Sequence, residues 1–271
     1  MIKRSEDPAG YIPVTLNGSL DDFLDDSPDD SITTLPLPLP ADEVHVWLAK
    51  LDDYRADSFK VMLAADELAR AARFHFDRDR NHFIVARALL RKLLAAYLDI
   101  GAGELQISYA EKGKPSLEKS GRGSLKFNVA HSNGLGIYAF SWNREVGVDL
   151  EFIHEDLADE KIAERFFSPS EIHSLRDLPA ELRKQAFFNC WTRKEAYIKA
   201  RGEGLSIPLD EFDVSLRPGE EAALLRNHKD PGEVTRWSMQ SVAVPAGYVG
   251  ALVAQGHDWK LKSFDLISHD K

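Results

Sequence analysis

The chain has 271 residues, 44% apolar and 29% charged, enough to bury one large core or two modest ones as a soluble globular protein. Its formal charge is −10, of which residues 1–40 carry −6, so the remaining −4 leaves no general basic surface for nucleic acid. No apolar run approaches the roughly 20 residues of a membrane span, and residues 1–8 (MIKRSEDP) lack the hydrophobic segment of a secretory signal, so the expected location is cytoplasmic.

Residues 1–40 are rich in Asp, Ser and Pro and end in alternating Leu and Pro over 35–40. Proline at every second position removes backbone donors and favours an extended path. The segment reads as an acidic, Pro-containing flexible arm, with a docking peptide as the alternative. Regular structure is expected from residues 43–49 (EVHVWLA), which alternate as a strand. Helices are expected at about 65–75 and 79–98, and they gather Arg70, Arg73, Arg80, Arg87 and Arg91 in a short span. These bases are either solvated helix faces with snorkelling stems or a local anion site.

Gly101 and Gly103 stop the second helix, and residues 105–109 form a strand. The loop 111–115 (EKGKP) is an ordinary exposed turn or, through Lys112, Gly113 and Lys114, a place where backbone and cations meet phosphate oxygens. A meander follows: strand 125–131, a hairpin turn at Asn133-Gly134, strand 135–142, then 145–152. In the last strand Val146, Val148, Leu150 and Phe152 take one face, while Gly147, Asp149 and Glu151 take the other. Same-face neighbours stand roughly 6.5–7 Å apart, so the two carboxylates repel unless a cation stands with them.

Residues 156–186 read as charged helix, with Ser168 as N-cap, Pro169 at the first helical position and Glu171 closing a capping box. The next helix centres on 191–200 (WTRKEAYIKA) and stops at Gly202 and Gly204. Phe187, Trp191, Lys194 and Ile198 share one stripe, and Phe188, Glu195 and Lys199 the adjoining flank. Alone, Glu195 and Lys199 read as a solvated pair one turn apart. Cys190, the single cysteine, reads as a packed thiol. Strands near 211–216, 234–243, 247–255 and 259–265 complete a second half that repeats the order of the first.

Asp149, Glu151 and Glu195 together form an all-oxygen, anionic set with no His or Cys spacing for zinc. Such ligands suit Mg²⁺ shared with substrate phosphates. The first-half arginines, Lys112, Lys114, His131 and Lys199 then balance a polyanionic substrate. This points to a Mg²⁺-dependent enzyme acting on a phosphate ester or anhydride. No P-loop is present, so a P-loop enzyme is disfavoured.

Residues 146–151 (VGVDLE), followed about 40 residues later by 191–199 (WTRKEAYIK), resemble the paired signature of the 4'-phosphopantetheinyl transferases. Residues 113–115 (GKP), 127–132 (FNVAHS) and 165–168 (RFFS) resemble three further family blocks in the same order. Length and spacing are similar to the monomeric, surfactin-synthetase (Sfp) type, over roughly residues 43–265. The resemblance implies an α+β fold of two similar α/β halves related by a pseudo-twofold. Residues 1–40 would be the arm, 41–144 the N-terminal half with coenzyme A-binding elements, and 145–271 the C-terminal half with the Mg-binding and catalytic signature. It implies transfer of the phosphopantetheine arm of coenzyme A to a serine of an apo acyl or peptidyl carrier protein, releasing adenosine 3',5'-bisphosphate.

By the same resemblance Asp149, Glu151 and Glu195 hold Mg²⁺, and Glu195, directly or through a water, takes the serine proton. Lys199 steadies or protonates the leaving phosphate. Lys112, Gly113, Lys114, Asn128, Ala130 and His131 line the coenzyme A site, Arg70 meets its 3'-phosphate, and Arg87 joins them. Ala130 departs from the hydroxyl residue of many relatives, so a phosphate contact there falls to the backbone. The acidic arm also lies outside the family pattern. The competing readings are a non-catalytic Mg or nucleotide-binding module of the same fold, or another Mg-dependent phosphotransferase.

Overall fold

The computed structural model describes residues 37–109, 114–117, 124–154 and 160–266. Its strands are β1 (Glu43–Lys50), β2 (Ile107–Tyr109), β3 (Pro115–Leu117), β4 (Leu125–Ser132), β5 (Leu135–Trp142) and β6 (Val146–Phe152). They continue with β7 (Phe212–Val214), β8 (Leu224–Asn227), β9 (Trp237–Val242), β10 (Tyr248–Gln255) and β11 (Lys260–Leu266). The longer helices are α1 (Ala65–Ala71), α2 (Asp77–Leu98), α3 (Glu160–Phe166), α4 (Pro169–Arg176) and α5 (Ala180–Arg201). The architecture is mixed α+β.

Two sheets, ordered β11-β1-β5-β4 and β6-β10-β9, share one apolar layer. Val44 and Val46 of β1 enter that layer with Ile137, Val148, Leu150 and Leu252. Trp47 and Ala49 of β1 instead join the α2 residues Leu89, Leu90 and Leu93. Strand β1 is thus apolar on both faces because both are covered. On the far side, α5 packs through Ala196, Tyr197 and Ala200 onto Ala251 and Val253 of β10.

The sheets meet where β4 faces the edge of β6 that β10 leaves unpaired. Here side chains of β4 replace a backbone ladder. Asn128 Oδ1 accepts the Val148 N–H at 2.9 Å, and Ser132 Oγ accepts the Phe152 N–H at 3.1 Å.

Each half carries a 22-residue helix, and a base at the fifteenth position of that helix, Arg91 or Lys194, meets a buried glutamate from the preceding helix. Arg91 Nε stands 2.7 Å from Glu67 Oε2, and Lys194 Nζ 2.8 Å from Glu171 Oε2. Both glutamates also accept the backbone N–H at the start of their own helix, Ala64 and Ser168. The recurrence fits two similar halves.

Three features bear on the expected boundaries. Residues 1–36 of the arm lie outside the described residues, but its last four are fastened: the Leu37 N–H donates to Ala96 O at 3.1 Å and Leu39 is buried. Strand β11, from the end of the segment 145–271, pairs in parallel with β1 and stacks Phe264 on Trp47, covering an edge that would otherwise expose backbone donors and acceptors. The central helix, expected to centre on 191–200 after a separate helical stretch over 156–186, runs from Ala180, directly after Pro179, to Arg201. No helix among the described residues is long and apolar enough to cross a membrane.

Candidate active site beneath the second long helix

Helix α5 ends in a left-handed cap at Gly202, φ +70°. It lies directly on β6 because Gly147 has no side chain: a Cβ there would stand 2.2 Å from Ala196 O and 2.2 Å from Ala200 N. Two residues on, the next position on the same face, Asp149, comes under the helix. Lys199 Nζ stands 2.6 Å from Asp149 Oδ1. Asp149 is 4% exposed, and its Oδ2 is buried with no hydrogen-bond partner among the described residues. Glu151 accepts from Ser132 Oγ at 3.1 Å. Trp191 is held by the rings of Phe166 and Phe187, which fixes the helix face that carries Glu195.

These groups line a cleft of about 540 Å³ that also includes Arg70, Arg87, Ala130, His131, Phe74 and Phe83. Asp149, Glu151, Glu195, Lys199, Arg70, Arg87, Ala130 and His131 are therefore brought together as expected. Of the remaining site residues, the two that are described, Lys114 and Asn128, do not line it. Lys112 and Gly113 lie outside the described residues. Lys114 Nζ reaches Glu145 Oε2 at 3.1 Å and Ala200 O at 3.1 Å, so it braces the end of α5 against the start of β6. Asn128 is buried and its Oδ1 is taken by Val148. Among the other first-half arginines, Arg91 is buried against Glu67, and Arg80 pairs with Asp77 at the surface. Sequence reasoning missed Phe74 and Phe83 as cleft walls, although Arg73-Phe74 matches the Arg165-Phe166 pair of the 165–168 block. Ser132 stood only as the last residue of the 127–132 block, with no role in the site.

The charges are mutually frustrated. Burial first, and Asp149 second, push Glu151 up to about 7. Burial and Asp149 also push Glu195 above the ordinary carboxylate range. Burial works against a charged Lys199, but Asp149 and then Glu195 outweigh it and hold its pKa above the usual value. A cluster of carboxylates with one orphaned oxygen fits a hard divalent cation. Among the described residues no three acidic or histidine side chains close into a ready-made metal cage. A cation such as Mg²⁺ that arrives with phosphate oxygens requires only part of its shell from protein.

Residues 145–253 match the family model of the 4'-phosphopantetheinyl transferase superfamily, and residues 47–142 match the 4'-phosphopantetheinyl transferase N-terminal model. The chain is 36% identical over 237 residues to 4'-phosphopantetheinyl transferase HetI of Nostoc sp., covering 85% of this chain and 97% of that one. The chain belongs to the 4'-phosphopantetheinyl transferase family. It is 32% identical over 200 residues to psf-1 of Bacillus pumilus, covering 72% of this chain and 83% of that one. Identity to Sfp of Bacillus subtilis is 25% over 215 residues, covering 79% and 92%. The crystal structure of Thermotoga maritima holo-[acyl-carrier-protein] synthase overlaps 41% of this chain and 62% of its own at 25% identity and a TM-score of 0.34. As a 4'-phosphopantetheinyl transferase, the protein is an enzyme that moves the phosphopantetheine arm of coenzyme A to a carrier-protein serine. The cleft under α5 spans both matched regions, since Arg70, Arg87 and His131 come from one and Asp149, Glu151, Glu195 and Lys199 from the other.

Proposed function

We propose that this cleft is where the transfer takes place, that it uses Mg²⁺, and that the protein works as a cytoplasmic monomer. The observation that carries the reading is the juxtaposition of the Asp149, Glu151 and Glu195 carboxylates with Lys199 and two arginines in one cleft. Asp149, Glu151 and Glu195 would hold Mg²⁺, which when bound polarises the pyrophosphate and offsets charge on the leaving phosphate. Arg70, Arg87, His131 and the backbone at Ala130 take the phosphates of coenzyme A; Lys112 and Gly113 belong to the same reading.

The carrier serine oxygen attacks the phosphorus that bears pantetheine, and the phosphorus–oxygen bond to adenosine 3',5'-bisphosphate breaks. Glu195, which lines the cleft one helical turn from Lys199, receives the serine proton directly or through a water. Lys199 stays protonated and neutralises the leaving phosphate. Trp191 and its ring neighbours keep Glu195 in place.

Incubation with coenzyme A, Mg²⁺ and a panel of apo acyl and peptidyl carriers, followed by intact mass measurement, should show a phosphopantetheine adduct. Glu195→Gln and Asp149→Ala should slow its formation by about 100-fold or more with far-ultraviolet circular dichroism unchanged. No adduct on any carrier would defeat the reading, and near-normal turnover in either variant would defeat the residue assignment.

A further inference from the structure

Strand β6 has one edge paired to β10 and the other facing β4. The Phe152 N–H points along that second edge and reaches Ser132 Oγ at 3.1 Å. An amide nitrogen only donates, so the hydroxyl oxygen is the acceptor and its own proton is left for another partner. Glu151 Oε2 lies 3.1 Å from the same oxygen and receives it. The chain of donors runs in one direction: amide to hydroxyl to carboxylate. A hydroxyl that accepts while it donates is polarised, and its proton has a fixed direction.

The position of Ser132 is itself fixed. It is the last residue of β4, opposite Leu135, and is followed by the two-residue turn Asn133-Gly134 with φ +44° and +84°. Tyr248 of β10, the partner of Phe152 in register, donates through its hydroxyl to Asn133 O at 2.8 Å. The hydroxyl is therefore tied to both sheets. Asp149 and Glu151 sit on the same strand face and repel, which would turn an untethered Glu151 away. Among the described residues Ser132 is the hydrogen-bond donor that counters this.

We propose that Ser132 is a positioning residue: its hydroxyl, oriented by the Phe152 amide, holds Glu151 toward the cleft and so sets the affinity of the site for its divalent cation. The proposal rests on the metal reading given above. It asks nothing of Ser132 in contact with substrate.

The test uses the full chain and Mn²⁺ as the probe, titrated by electron paramagnetic resonance without turnover. Ser132→Ala should weaken Mn²⁺ binding by about 10-fold or more, while Ser132→Thr, which keeps the hydroxyl, should stay within about twofold of the parent. Calorimetric binding of coenzyme A without divalent cation should be unchanged in both. In a Glu151→Ala background Ser132→Ala should cost nothing further, because the interaction it removes is already gone. If Ser132→Ala does not fold, Ser132→Cys, close in size and a weak donor, gives the same reading. Mn²⁺ affinity at the parent level in the folded Ala or Cys variant would overturn the proposal while leaving the metal reading in place. Absence of Mn²⁺ binding by the parent would overturn both.

Discussion

A methyl group at Gly147 would stand 2.2 Å from Ala196 O and from Ala200 N, and both obstacles are backbone. Neither can rotate away, so Gly147→Ala has to lift α5 from β6 or bend the strand. The expected cost is about 1–3 kcal/mol or more of stability in urea titration, and turnover should fall further than stability alone explains, because Glu195 and Lys199 move with the helix. A variant with parent-like turnover would show that the close approach does not set the site. At this scale Asp149, Glu151, Glu195 and Lys199 were legible because strand and helix periods decide which neighbours share a face. Lys114 and Asn128 were not: their partners include Ala200 O and Val148 N, which no local spacing reveals.

Helix α4 begins as its sequence says it should, with Ser168 and Glu171 exchanging hydrogen bonds across a capping box. Sequence shows the box, but not that Glu171 also accepts the Val214 N–H at 2.8 Å and meets Lys194. Lys194 in turn donates to Leu209 O at 2.6 Å and Phe212 O at 2.5 Å. One buried base thereby joins α5, α4 and the entry to β7. Lys194→Met removes the cation and leaves a buried carboxylate, and should cost about 3–5 kcal/mol in urea denaturation; a loss under about 1 kcal/mol would show that the carboxylate finds another partner. The strand expected over 234–243 starts only at Trp237. The turn before it, Glu233–Arg236, is helical, and Glu233 is buried where the Tyr197 hydroxyl and the Trp237 indole N–H donate to it.

For the molecule as a whole, the joint between its first and last strands rests on a histidine. His45 of β1 bonds through Nδ1 to the Tyr97 hydroxyl of α2 at 2.8 Å and lies edge-on to Phe264 of β11. Burial lowers its pKa more than Glu43 raises it, and Lys262 also lowers it. The unfolded chain therefore takes up a proton near pH 6.5 that the folded chain takes only at lower pH. Stability is full above that range and falls as pH drops through it, by up to about 1.4 kcal/mol per pH unit for this group. Urea titrations at pH 7.5 and 5.5 should show His45→Gln losing less stability between the two than the parent does; equal losses would remove His45 as the cause. Sequence by itself placed most of the longer strands and helices to within a few residues, with their caps and stops and the family resemblance, because those depend on neighbours within a turn or a strand. Only the tertiary structure decided that β11 returns to β1, that Leu37 and Leu39 belong to the first core, and that Gly147 brings the acidic strand under Glu195 and Lys199. Each of these is a contact between distant segments, settled by which edges and faces would otherwise be left uncovered.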